Sequence, residues 1–189
     1  VQPELFFFQA EDGIREKHFN FITRIFSSGD DEVQTNIIPI VTACREMSET
    51  KTGALIVIGQ RSDLRLIAEG GIALDAKVST PLLENIFFKN APLHDGAVLI
   101  EGDRIVAAKC ILPVTQSAVP KSYGTRHRAA IGMSEISDAI ILVVSEETGG
   151  ISITQNGEIH RDIDPSHLQQ ILQRYLTVNS RHSGKEVVE

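Results

Sequence analysis

The chain has 189 residues, of which 42% are hydrophobic and 5% aromatic, and its formal net charge is -7. This length suits one domain with a sizeable buried core. The acidic balance argues against a nucleic-acid partner, because duplex binding requires a wide basic face. The longest apolar run, residues 139–144, is far shorter than the roughly 20 residues of a membrane span, so we expect no span in this chain.

The first 34 residues are patterned differently from the rest of the chain. Three phenylalanines stand together at 6–8 without a helical or strand period, and residues 27–32 are typical of a solvated linker. The string FFFQAEDGIR (6–15) looks like translated sequencing-adapter sequence, an artefact to which we assign no function. We predict an atypical segment at 1–34, a globular domain at 35–178 and a polar tail at 179–189.

Regular patterning begins at Asn36. Apolar residues then recur at helical spacing, at Ile37, Val41, Cys44 and Met47. Residues 53–59 form an apolar run bounded by glycines, which predicts a buried central strand. Thr80 followed by Pro81 predicts the N-cap and first residue of a second helix.

The second half of the chain alternates strands with turn signals. Strands at 97–100 and 105–112 flank the turn 101–104, and strand 139–144 follows a short helix that starts near Arg126. Asn156-Gly157 predicts a hairpin between strands 151–154 and 158–160. Asp164-Pro165 predicts the N-terminal cap of the last helix. The sum is an α/β fold, a single globular domain with a central mixed β-sheet surrounded by helices. Cys44 and Cys110 are predicted as reduced core residues.

A cationic segment at 121–128 stands out in this acidic chain. Arg126 and Arg128 carry planar forks suited to phosphate oxygens, and Gly124-Thr125 before a helix offers backbone N–H groups to an anion. The alternative is a solvated helix end. His127, between the arginines, is expected to orient or pack rather than to bind a ligand.

Two acidic segments complete the candidate chemistry. Asp95 stands at a strand entrance, where Gly96 permits close approach, so its carboxylate suits a metal ion or a general base. An Asx turn is the alternative. Adjacent His and Asp residues also occur in metal-dependent phosphohydrolases, where the pair lies on a helix. That interpretation is disfavoured for His94-Asp95, because this pair runs into a predicted strand. Residues 145–147 (Ser-Glu-Glu) end a buried strand, where a metal bound to triphosphate would find a ligand, although solvated turn charges explain them equally well.

Five segments together resemble the diadenylate cyclase domain, and most closely the catalytic domain of its membrane-anchored bacterial type. They are GALIVIG (53–59), LDAKVSTPLLENIFF (74–88), PLHDGAVLIEGDRIVAAKCILP (92–113), GTRHRAAIG (124–132) and VVSEETGG (143–150). The resemblance covers about residues 36–176 and rests above all on the DGA and RHR motifs.

The resemblance implies condensation of two ATP into cyclic di-AMP with release of two pyrophosphates. It implies that Asp95 activates the ribose 3′-hydroxyl, with Arg126 and Arg128 as the other catalytic residues. The implied nucleotide-binding residues are Gly96, Ala97, Leu112, Gly124, Thr125, Arg126, His127, Arg128, Ser145 and Glu146. The implied ligands of Mn²⁺ or Mg²⁺ are His94, Asp95 and Glu147. Ile111 departs from the aromatic residue that related proteins often place against the base.

A product with two-fold symmetry, made by a chain with one copy of each motif, predicts a homodimer with facing active sites. Residues 1–5 look like the segment after the last membrane helix of the anchored type. We therefore expect a cytoplasmic domain that the full-length protein tethers to the inner face of the cell membrane. A catalytically silent nucleotide sensor and a module that docks an acidic partner are the alternative functions.

Overall fold

The computed structural model describes residues 35–181, which form five helices and seven strands. In chain order they are α1 (Ile37–Glu49), β1 (Ala54–Ile58), α2 (Arg65–Glu69), β2 (Ile72–Lys77), α3 (Thr80–Phe87), β3 (Ala97–Glu101), β4 (Arg104–Cys110), α4 (Thr125–Ile136), β5 (Ile140–Val144), β6 (Ile151–Gln155), β7 (Glu158–Ile163) and α5 (Leu168–Arg181). The predicted segment 1–34 lies outside the described residues, and so does the predicted tail 179–189 except for 179–181, which belong to α5.

The described strands form one seven-stranded sheet in the order β2-β4-β3-β1-β5-β6-β7. β1 and β3 run parallel, with Ile56 opposite Val98, and the other neighbours are antiparallel. The mixed sheet predicted from the sequence is therefore confirmed. β1 lies at its centre and every residue of it is buried, as the apolar run at 53–59 predicted.

Helices cover both faces of the sheet, so the core has two layers. Alternate residues of β1 point to opposite faces: Ile56 packs in the layer beneath α1, α3 and α5, and Leu55 in the layer beneath α2 and α4. Cys44 and Cys110 are buried free thiols, one in each layer. Burial raises the pKa of both to about 12, which keeps them protonated.

Local details differ from the sequence predictions. α2 and β2 were not predicted, because β2 is a half-exposed edge strand whose alternation is interrupted by a bulge, with Asp75 at φ 48°. Ser79, not Thr80, is the N-cap of α3, and the Thr80 hydroxyl donates instead to the Pro39 carbonyl at 3.1 Å. Asp164 accepts from the Ser166 N–H in a turn that precedes α5.

No helix among residues 35–181 is both long enough and apolar enough to cross a bilayer.

Candidate active site

The candidate residues gather at one end of the sheet, which we call the site end. There β1, β3 and β6 begin while β4, β5 and β7 finish. Because β1 is flanked by β3 and β5, its first residues lie between the turn at 95–96 and the loop that begins at Ser145. Strand order thus brings together segments that are about fifty residues apart in sequence.

The start of α4 reaches this same end through Arg126. Its Nη1 donates to Glu146 Oε2 at 2.8 Å, and the Arg126 side chain is 20% exposed while that of Glu146 is 64% exposed. Gly53, just before β1, leaves the space in which the guanidinium lies, because a Cβ at position 53 would be 2.7 Å from Arg126 Nη1. Arg126 therefore lies over the entrance of the central strand.

The first turn of α4 is suited to anion binding. Gly124 is its N-cap, and no side chain in the described part of the chain caps it, so backbone N–H groups of the first turn remain for a ligand. Thr125 and Arg128 are exposed beside it. The first turn of α4 thus carries two guanidinium groups beside its N-terminus, a combination suited to phosphate oxygens.

The Asp95 turn is shaped by close contact between β3 and β4. Gly96 has φ +125°, and a Cβ there would lie 2.8 Å from the Lys109 carbonyl carbon, so an L side chain is excluded by both conformation and space. Asp95 itself is exposed, whereas Ala97 is fully buried. The turn thus presents a carboxylate to solvent beside closely packed backbone.

The end of β4 contributes an apolar wall. Ala97 is paired with Cys110 in the sheet, and the chain then continues through Ile111, which is 79% exposed, into Leu112, which is 6% exposed. Leu112 packs into the layer beneath α4. The Leu112 backbone lies two residues beyond the pairing of Cys110 with Ala97, close to the Asp95 turn.

The loop after β5 is held in a defined turn by its own side chains. The Ser145 hydroxyl accepts from the N–H groups of Glu147 at 3.3 Å and Thr148 at 3.2 Å. Ser48 of α1 donates to the Gly149 carbonyl at 2.6 Å. Glu146 and Glu147 are both exposed on this loop, and they bring negative charge to the site end.

His94 is oriented as metal-binding histidines commonly are. Its Nδ1 donates to the Ala91 carbonyl at 2.6 Å, and Nε2 is therefore the ring nitrogen that remains available to a ligand. Among the described residues, however, no group of three or more His, Cys, Asp or Glu side chains converges on one point. His94, Asp95 and Glu147 therefore do not form a closed metal site in the described part of the chain, and a cation held there would need phosphate oxygens and water to complete its coordination.

His127 differs from its neighbours because its ring points into the protein. It is 5% exposed, its Nε2 lies 3.4 Å from the Ser152 hydroxyl of β6, and its ring centroid is 5.7 Å from that of Tyr123. Burial, and secondarily the charge of Arg161, lowers the pKa of His127. Of the nucleotide-binding residues that the resemblance implied, this one is placed to pack α4 on the sheet.

The structure brings most of the sequence-predicted residues to the site end. It also places Gly53 there, which the sequence pattern indicated only as the boundary of a strand. The position of a glycine directly before a buried strand was the sequence feature that could have indicated close packing at this point. Between the RHR segment and the loop at 145–147, the described residues make the ion pair of Arg126 with Glu146, and the Asp95 turn shares the site end through the strand register.

Comparison with known proteins agrees with this architecture. The family model described as DAC, DisA bacterial checkpoint controller nucleotide-binding, matches residues 41–159. The chain belongs to the DAC family. It is 41% identical over 165 residues to "Cyclic di-AMP synthase CdaA" of Bacillus subtilis. This match covers 87% of the present chain and 60% of the B. subtilis protein.

Two solved structures share the fold. A crystal structure of a double mutant of DacA from Staphylococcus aureus matches with a TM-score of 0.72 and 44% identity, covering 74% of this chain and 94% of that one. A "hypothetical membrane spanning protein" from Bacillus cereus matches with a TM-score of 0.66 and 48% identity, and the match covers 69% of this chain and 65% of that one. The present chain spans about three fifths of the length of the B. subtilis relative.

Proposed function

We propose that this DAC-family domain is a diadenylate cyclase that condenses two ATP into cyclic di-AMP and releases two pyrophosphates. The observation that carries the proposal is the position of Arg126 over the start of β1, between the Asp95 turn and the loop at 145–147. That position brings a phosphate-binding guanidinium and a carboxylate of the other motif to one end of the sheet. The similarity to a cyclic di-AMP synthase supports the same reaction.

In the proposed reaction, Asp95 accepts the proton of a ribose 3′-hydroxyl. The resulting oxygen attacks the α-phosphorus of the other ATP, a new P–O bond forms, and the bond to the pyrophosphate oxygen breaks. Arg126, Arg128 and the first N–H groups of α4 neutralise charge on the phosphates. The backbone at Gly96, Ala97 and Leu112 lines the nucleoside, and Ser145 shapes the loop beside the triphosphate.

A divalent cation belongs to this proposal, as Mn²⁺ or Mg²⁺. His94 through Nε2, with Asp95 and Glu147, would hold it together with phosphate oxygens. When bound, it would neutralise charge on the triphosphate and on the departing pyrophosphate. The open, oxygen-rich set suits a cation that arrives with its nucleotide.

The proposed catalytic unit is a homodimer with facing sites, because the described part of the chain holds one copy of each motif and the product needs two phosphodiester bonds. Each 3′-oxygen would attack the α-phosphate held by the partner. Specific activity that falls as the protein is diluted below its dimer dissociation constant supports this arrangement. Specific activity that is constant across that range contradicts it.

We also propose that the full-length protein is tethered to the inner face of the membrane. Support comes from the description of the B. cereus neighbour as membrane spanning and from the length of the B. subtilis relative that this chain leaves uncovered.

The deciding experiment incubates the full chain with ATP and either Mn²⁺ or Mg²⁺ and identifies the product by mass. Cyclic di-AMP and pyrophosphate in a 1:2 ratio support the cyclase. ATP binding without product would favour a silent nucleotide sensor, and absence of ATP binding would favour a docking module for an acidic partner. Either result overturns the cyclase proposal.

A further inference from the structure

The connection between β4 and α4, residues 111–124, is irregular in structure and leads directly into the proposed phosphate site. Irregular segments of this length inside a compact domain usually have a functional reason. This segment carries Leu112 at one end and delivers Gly124, Thr125 and Arg126 at the other. The position of its last residues therefore decides where the phosphate-binding groups lie.

The first half of the connection is fixed to α4. The Thr115 hydroxyl donates to Glu135 Oε1 at 2.6 Å, and the Thr115 N–H donates to the Arg128 carbonyl at 3.1 Å. The absence of a side chain at Gly132 lets the backbone at 113–115 lie against the helix, since a Cβ there would be 2.5 Å from Thr115 N. This anchor holds α4 from Arg128 to its end, and the residues that lead into the helix, 120–124, take no part in it.

The second half is held from a different element. The Arg161 guanidinium of β7 lies over the Tyr123 ring, 4.8 Å from its centroid, and the same ring contacts His127. Tyr123 is thus placed between β7 and the first turn of α4. A cation over an aromatic face is attractive, and more so when it is partly desolvated.

Arg161 is an unexpected residue for a purely structural position. Its Nε is buried and has no hydrogen-bond partner among the described residues, an arrangement that costs free energy and that a neutral apolar side chain would avoid. Among the described residues, the contact that compensates the guanidinium is the face of the Tyr123 ring. The arrangement is therefore better explained by the placement of Tyr123 than by stability.

We propose that Arg161 and Tyr123 are positioning residues of the phosphate site: the stack of Arg161 on Tyr123 holds the chain at 120–124 so that the first turn of α4 presents Thr125, Arg126 and Arg128 in one place. The inference rests on the proposed function for its kinetic consequence. Its mechanical consequence, order at the start of α4, does not depend on any activity.

Four variants and one control test the proposal in the full chain. Arg161→Met and Tyr123→Leu remove the stack and keep a comparable side-chain volume. Tyr123→Phe keeps the aromatic face, and Arg161→Lys keeps the positive charge but loses the planar guanidinium group. His160→Ala is the matched control, because it removes a different ring contact of the same strand, with Tyr175 of α5 in the other core layer.

The first readout is the KM for ATP in cyclic di-AMP formation, with kcat measured on the same samples. We expect KM to rise about 3- to 10-fold in Arg161→Met and Tyr123→Leu, to recover in Tyr123→Phe, and to stay at the unsubstituted value in His160→Ala. A merely stabilising role would lower the active fraction, and hence the apparent kcat, without moving KM.

The second readout is hydrogen exchange at the amides of Tyr123 and Arg128, which donate to the Pro120 and Gly124 carbonyls at 3.0 and 3.2 Å. Faster exchange in Arg161→Met and Tyr123→Leu, but not in His160→Ala, supports the positioning role even if the unsubstituted chain makes no cyclic di-AMP, a result that would overturn the proposed function alone. Unchanged exchange at both amides overturns the positioning role.

Discussion

Arg126 and Glu146 form an ion pair across the entrance of the central strand, with 2.8 Å between Nη1 and Oε2. Arg126 lies in the first turn of α4 and Glu146 in the loop after β5, and the resemblance implied both as nucleotide-binding residues. The Glu146 carboxylate accepts a hydrogen bond from a guanidinium that we propose to bind phosphate. The pair is largely open to solvent on the Glu146 side, so its net strength is that of a surface ion pair, about 0.2–1 kcal/mol.

Glu146→Gln is expected to tighten ATP binding by up to about 5-fold when no divalent metal is present. The substitution removes a negative charge that competes with the triphosphate for Arg126, and the upper limit corresponds to about 1 kcal/mol. Isothermal titration at low salt measures the change. The control is Glu158→Gln, at the opposite end of the sheet, which should leave the dissociation constant for ATP unchanged. Weaker ATP binding in Glu146→Gln would contradict the prediction and would mean that Glu146 orients Arg126.

Gly53→Ala should impair nucleotide binding while leaving the fold intact. The new Cβ would meet the end of the flexible Arg126 side chain at 2.7 Å, and this side chain can move aside at low cost. We expect ATP affinity to fall by up to about 10-fold with little change in melting temperature.

Gly132→Ala provides the contrast to Gly53→Ala, because its Cβ would meet backbone atoms at 113–115 and should lower the melting temperature. The reverse pattern, with a destabilised Gly53→Ala protein of normal affinity, would contradict the placement of Arg126.

Asp95→Asn should separate binding from turnover. The exposed Asp95 carboxylate is proposed to act when the 3′-hydroxyl loses its proton, and general-base assistance is typically worth about 10²–10⁴ in rate. We expect kcat to fall by that factor while the dissociation constant for ATP, measured without divalent metal, changes less than about 2-fold. Loss of ATP binding in this variant would instead make Asp95 a structural residue of the turn.

Replacing Arg126 and Arg128 together by Ala should weaken ATP binding at least about 100-fold. Each charge-assisted hydrogen bond contributes on the order of 1.5–3 kcal/mol, and the two guanidinium groups are expected to act on the same triphosphate. Arg65→Ala, which removes an exposed arginine paired with Asp63 away from the site end, is the control. Unchanged affinity in the double variant would remove both arginines from the phosphate site.

Glu101 should make folding stability depend on pH. It lies at the end of the sheet opposite the site, and burial, with smaller effects of Asp138 and Asp63, raises the pKa of Glu101 to about 8. The folded state therefore holds a proton that the unfolded chain releases above its ordinary pKa of 4.5, so the free energy of unfolding falls as pH rises from about 4.5 to 8.

Glu101→Gln should remove most of this slope and raise the melting temperature at pH 8 more than at pH 5. Thermal melts of both proteins at four or five pH values measure the effect. Equal pH profiles for the two proteins would show that Glu101 ionises normally in the folded chain.

Local sequence patterns were sufficient for most elements of this protein. The apolar run between Gly53 and Gly59, the Asn156-Gly157 turn and the helical spacing after Asn36 each depend on near neighbours in the chain, and each predicted element is present. The edge strand β2 and the short helix α2 escaped prediction because half-buried segments carry little periodic signal. The DGA and RHR motifs identified the residue types of the site.

Their arrangement was decided by tertiary structure. The parallel pairing of β1 with β3 and the antiparallel pairing of β1 with β5 bring the Asp95 turn and Glu146 to either side of Gly53, and no local pattern specifies that register. The His127 ring points into the protein and the Arg161 guanidinium stacks on Tyr123 because of the way in which α4 lies across β6 and β7. Sequence determined which groups are available, and long-range packing determined which of them meet, because contacts between distant segments arise only when the whole core assembles.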